Sequence, residues 1–122
     1  MTYYRSTIVD VGPEAVEMAL AGVIILFGEP LPEALAEVSV VHRPSKTLEG
    51  HAVRAGDLVR IGDSEVEIVS VGELATKNLD ELGHVVLYIN QADQKLLPGA
   101  VNARGTLPDV AAGQIIEFRT PS

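Results

Sequence analysis

Residues 57–71 read DLVRIGDSEVEIVSV, and this stretch decides the fold class. Leu58, Val59 and Ile61 lead into Gly62-Asp63-Ser64, and Val66, Ile68 and Val71 follow. Runs rich in β-branched residues on either side of a glycine-containing turn predict a β-hairpin, since such side chains pack well on a pleated surface. Upstream, Glu37 to His42 alternates, with Val38, Val40 and His42 on one face and Ser39 and Val41 on the other. Pro44 is expected to force the chain out of that strand. Val23 to Phe27, bounded by Gly22 and Gly28, reads as a short buried strand. Thr2 to Val11 supplies a first strand, with Tyr4, Ser6, Ile8 and Asp10 on one side.

Helical signals are brief. Pro13 suits a first helical position, and Gly22 stops the pattern that begins there. A single turn is expected around Pro32 to Ala36. Downstream of the hairpin, Ala75, Leu79 and Leu82 recur at helical spacing, and Gly83 is placed to cap an amphipathic helix over 75–82. Val85 to Ile89 and Gln114 to Phe118 complete the strands, with Pro98-Gly99 and Gly105 marking turns. No helix is long enough to cover a parallel sheet face. The expectation is a mainly β fold, a compact six- or seven-stranded β-barrel with two or three short helices.

The chain has 122 residues, 47% of them apolar, and 9 basic against 17 acidic side chains leave a net charge of −8. That size and composition predict one domain over residues 1–122. Cysteine is absent, which excludes disulfides, thiolate metal sites and a cysteine nucleophile. The opening MTYYRSTIVD lacks the pattern of a signal peptide, and the apolar run from Ala21 to Phe27 is too short to cross a bilayer. A cytoplasmic chain is expected. The negative charge, the 4% aromatic content and the lack of tryptophan argue against nucleic acid as a partner.

Chemistry must then come from histidine, carboxylate or hydroxyl groups. His42, His51 and His84 match no short metal-ligand spacing, so no metal is expected. No G-x-S-x-G, G-x-G-x-x-G or phosphate-loop motif occurs, so no cofactor is expected either. His42 continues the inward line of Val38 and Val40 yet stands just before Pro44, where a barrel strand meets its rim. Its ring is expected to be half-buried and half-accessible, hence neutral with one nitrogen free to attack. Arg43, Ser45 and Lys46 follow as candidate phosphate contacts. His84 is a candidate second imidazole, and His51 reads as a loop residue on the surface. The ordinary alternative makes His42 a strand-end histidine beside a solvated basic turn.

The block from Val71 to Val85, VGELATKNLDELGHV, carries a resemblance. It is joined by Ile-Leu-Phe-Gly at 25–28, Val-Val-His ending at His42, Leu-Pro-Gly at 97–99, Pro108 and Gly113-x-Ile115. Taken in order over nearly the whole chain, these blocks resemble the glucitol/sorbitol-specific enzyme IIA components of the bacterial phosphoenolpyruvate-dependent sugar phosphotransferase system. Ala100 departs from the family pattern, in which a threonine is typical. The resemblance implies a compact β-barrel and a phosphotransferase component without a cofactor. In such a relay the phosphocarrier HPr phosphorylates a IIA histidine, corresponding to His42 with its distal ring nitrogen. The group then passes to the IIB part of a IIB/IIC permease, through which alone the chain would meet a membrane. The competing expectation is a non-catalytic β-barrel, a binding or regulatory module that senses sugar-uptake state.

Overall fold

The 57–71 hairpin forms as its pattern predicts. In the computed structural model, which describes residues 1–121, β4 (Leu58–Ile61) and β5 (Ser64–Val71) pair antiparallel with Val59 opposite Val66. Gly62 makes the tight turn with φ +59°. Around this hairpin stand β1 (Thr2–Val11), β2 (Val23–Gly28), β3 (Val40–Lys46), β6 (Val85–Ile89), β7 (Ala100–Gly105) and β8 (Ile115–Arg119). Three short helices, α1 (Pro13–Leu20), α2 (Glu33–Ala36) and α3 (Ala75–Leu82), complete the described elements. The strands close in the order β1-β3-β2-β6-β7-β5-β4-β8. Closure gives each strand a neighbour on both sides and removes the open edges a flat sheet would leave.

The barrel has eight strands, one beyond the upper expectation. The additional one is β7, whose Ala-Val-Asn-Ala-Arg-Gly has little β-branched content. It is held by position, between β5 antiparallel and β6 parallel, with Val101 and Ala103 buried. The β3 boundary also differs from expectation: Pro44 lies inside the strand, opposite Ser6 of β1. On its other side β3 pairs with β2 only as far as His42 opposite Gly28, so the missing N–H of Pro44 interrupts no ladder there.

Alternation puts one side of each strand inside. Tyr4, Ile8, Ile24, Leu26, Val40, Ile68, Leu87, Ile89, Ile116 and Phe118 are essentially fully buried. The Tyr4 and Phe118 rings meet edge-on with centroids 5.6 Å apart. α3 buries Ala75 and Leu79, four residues apart on one helical face, and ends at Gly83 in the left-handed conformation, φ +65°. There the chain crosses the end of β2 backbone on backbone. A Cβ on Gly83 would lie 2.9 Å from Gly28 Cα, and one on Gly28 would lie 2.9 Å from the Leu82 carbonyl oxygen. Two glycines are what allow α3 to end over this wall.

Candidate functional site

β3 carries His42 inward, flanked in register by Ile8 on β1 and Gly28 on β2. The ring has 0% exposure. Its Nδ1 stands 2.5 Å from Ser6 Oγ, and its Nε2 stands 2.6 Å from the Gly83 carbonyl oxygen. A carbonyl only accepts, so Nε2 carries the proton, and the Nδ1 lone pair accepts the Ser6 hydroxyl. Burial holds the imidazole below the ordinary histidine value, and the bond to Gly83 offsets part of that effect. His42 is therefore a neutral ring, as expected. The accessibility expectation is corrected: neither nitrogen is free, because Ser6 takes Nδ1 and the end of α3, 41 residues further along the chain, takes Nε2 on a fully buried ring.

A cavity of about 360 Å³ is lined by Tyr4, Gly28, Pro44 and Gly83, with Glu29 and Asp80 also on its wall. Gly83 thus lines the cavity, and its carbonyl oxygen accepts the Nε2–H hydrogen bond of His42. The Tyr4 ring approaches His42 edge-on at 6.3 Å. Its hydroxyl is buried and has no hydrogen-bond partner among the described residues. Burial, reinforced by Asp80, pushes its ionisation well above the ordinary tyrosine value, so it remains a hydrogen-bond donor.

The other residues singled out by sequence do not join this cluster. Arg43 is exposed and donates from Nε and Nη2 to Glu29 Oε1 at 3.1 and 2.9 Å. Ser45 is exposed with Oγ donating to the Arg5 carbonyl at 3.4 Å, and Lys46 is exposed at the end of β3. His84 follows Gly83 directly, but its half-buried ring packs on Phe27 with centroids 4.5 Å apart, on the opposite side of the wall from His42. Its Nδ1 donates to the Leu26 carbonyl at 3.0 Å, and Nε2 has no partner among the described residues. His51 is not a plain surface residue: it stacks on Tyr3 at 3.9 Å, with Nε2 buried and without a partner among the described residues.

Comparison with known proteins gives the family. The family profile described as "PTS system glucitol/sorbitol-specific IIA component" matches residues 3–117. The chain belongs to this family. The IIA chain is 31% identical over 118 residues to the glucitol/sorbitol-specific EIIA component of Escherichia coli K12, covering 96% of this chain and 94% of that protein. Its counterpart in Shigella flexneri matches to the same extent. The fold is shared with the crystal structure of a PTS system IIA component from Enterococcus faecalis V583, with a TM-score of 0.80 at 24% identity, covering 95% of this chain and 99% of that one.

Within the IIA chain, sequence reasoning missed three parts of the His42 setting: the Ser6 hydroxyl, the Gly83 carbonyl and the unpartnered hydroxyl of Tyr4. Ser6 left a signal, a small polar residue between Tyr4 and Ile8 on the inward line of β1. The Gly83 carbonyl left none, since a backbone oxygen has no side-chain identity. Among the described residues, no three His, Asp or Glu side chains are grouped so as to hold a metal ion. No helix among them is long and apolar enough to cross a membrane.

Proposed function

We propose that this IIA chain is a phosphohistidine relay, in which His42 accepts a phosphoryl group from HPr and passes it to the IIB part of a glucitol/sorbitol-type permease. The observation that carries the reading is His42 held as a neutral imidazole, with its Nε2 bonded to the carbonyl of Gly83, a residue that lines the cavity. A neutral ring has the lone pair that an imidazolium lacks. In the transfer, a His42 nitrogen lone pair forms an N–P bond as the donor's own N–P bond breaks, and the donor nitrogen keeps the electron pair. Transfer onward repeats the exchange with IIB as acceptor. Positioning and charge compensation supply most of the catalysis in such steps. Arg43 is the nearest candidate for charge compensation, once released from Glu29, with Ser45 and Lys46 further along the same strand. The phosphoryl group adds nearly two negative charges to a chain at −8, so donor and acceptor are expected to offer basic surfaces. The chain then works in the cytoplasm and meets the membrane only through its permease.

Intact-mass measurement at alkaline pH tests this after incubation with phosphoenolpyruvate, enzyme I and HPr. Wild type is expected to gain one phosphoryl group and His42→Ala none, with His84→Ala still labelled. A second reading is favoured by one observation, the unpartnered Nε2 of His84. It predicts the reverse, label lost in His84→Ala and retained in His42→Ala. A wild type that stays unlabelled beside an active donor would make the barrel a binding or regulatory module.

A further inference from the structure

The resting arrangement around His42 has no nitrogen ready to attack. Nε2 holds the proton and donates a hydrogen bond from it to the Gly83 carbonyl, while the Nδ1 lone pair is occupied by Ser6. We propose that Ser6 is a positioning residue for the transfer, whose hydroxyl selects the His42 tautomer by reversing its hydrogen bond when the Gly83 carbonyl withdraws. This rests on the His42 relay reading. A hydroxyl can donate or accept, so Ser6 can serve Nδ1 with or without a proton, whereas the Gly83 carbonyl can serve Nε2 only while it is protonated.

The switch balances. As Gly83 moves aside, Nε2 releases its proton to water entering from the neighbouring cavity, Nδ1 takes one proton from water, and the ring stays neutral. Nδ1–H then donates to Ser6 Oγ, and the Nε2 lone pair faces the cavity. Attack forms the Nε2–P bond while the donor's N–P bond breaks with its electron pair. The proton stays on Nδ1 throughout, hydrogen-bonded to Ser6 Oγ.

Three observations converge on this role. Ser6 is itself fully buried, paired with Pro44 of β3 on one side and Ile116 of β8 on the other, so the barrel fixes its oxygen beside Nδ1. The covering group is the left-handed cap of a two-turn helix, and it borders an open cavity of about 360 Å³ into which a peptide can move. Tyr4 lines the same cavity, and its buried hydroxyl keeps a donor without a partner among the described residues beside the His42 ring.

The test compares wild type, Ser6→Ala and Ser6→Thr in the full chain, reading the rate of phosphoryl uptake from phosphorylated HPr and the imidazole nitrogen NMR signals of His42. The expected result is Nε2–H in resting wild type and Nδ1–H with phosphorus on Nε2 after labelling. Uptake is expected to fall about tenfold or more in Ser6→Ala, by analogy with the partners that orient metal-bound imidazoles, and to recover in Ser6→Thr. A folded Ser6→Ala that labels at the wild-type rate overturns the proposal, as does resting wild type with its proton on Nδ1. If Ser6→Ala fails to fold, Ser6→Thr labelling at the wild-type rate together with phosphorus on Nε2 supports the role, and phosphorus on Nδ1 overturns it. A wild type that takes no label overturns the relay reading beneath it. That failure is distinct from the others, which are all measured against a labelled wild type.

Discussion

A neutral imidazole inside an apolar barrel is tolerated because both of its nitrogens have partners, and protonating it would place an unpaired charge in the interior. The native ring therefore titrates below the ordinary value of 6.5, with burial as the main cause. The sign follows by linkage. Below 6.5 the unfolded chain binds a proton that the native ring refuses, so the stability contribution is complete above that pH and is lost as pH falls toward the native value. Urea unfolding on either side of about 6.5 is expected to show stability dropping on the acid side, with a smaller drop in His42→Gln. An identical acid slope in the two proteins would contradict the buried neutral assignment. Much of this residue was legible in sequence: its inward direction follows from strand alternation, and its neutrality from the burial that direction brings. Its concealment does not, since the cover is a carbonyl from another element.

At the scale of elements, the end of α3 and the end of β2 depend on each other through Gly83 and Gly28. A side chain at Gly83 meets two penalties, a left-handed backbone and a 2.9 Å approach to Gly28. Gly83→Ala is expected to cost about 2–4 kcal/mol by denaturant unfolding, combining the left-handed penalty with overpacking. Gly50 provides the contrast. It also has positive φ, +88°, but open space where a Cβ would go. Gly50→Ala should cost about 1–2 kcal/mol, the backbone share alone. Equal losses at the two positions would mean that the Gly28 contact is slack. The helix and its cap were readable from Ala75, Leu79 and Leu82 at helical spacing with Gly83 behind them, although Leu82 is exposed and only Ala75 and Leu79 are buried. β7 was not, because Asn102 and Arg104 dilute its pattern and its partners on β5 and β6 lie elsewhere in the sequence.

Over the whole molecule, closure concentrates stability in the barrel interior. Phe118 on β8 is fully buried against Tyr4 and Tyr3, on a strand that joins β1 to β4. Phe118→Ala is expected to cost about 3–5 kcal/mol, lost burial plus the cavity left behind. Arg5 and Glu117 pair across the same β1–β8 seam at 2.9 Å, but the arginine is half-exposed. Glu117→Gln should change stability by less than about 1 kcal/mol, since solvent screens such pairs. Chemical denaturation of both variants checks the contrast, and comparable losses would shift the weight of the seam from its core to its charges.

The sequence by itself determined a mainly β chain of one-domain length, the hairpin at 57–71, the capped helix at 75–82, the inward line that ends at His42 and the family to which the chain belongs. These depend on local periodicity, on turn chemistry and on blocks of residues in order, all of which are written along the chain. Only the tertiary structure decided that the barrel has eight strands, that Pro44 continues β3, that His84 lies across the wall from His42, and that Ser6 and the Gly83 carbonyl hold the His42 ring. Each of those depends on which distant segments become neighbours when the barrel closes, and hydrogen bonds between segments 36 and 41 residues apart leave no periodic trace in the sequence.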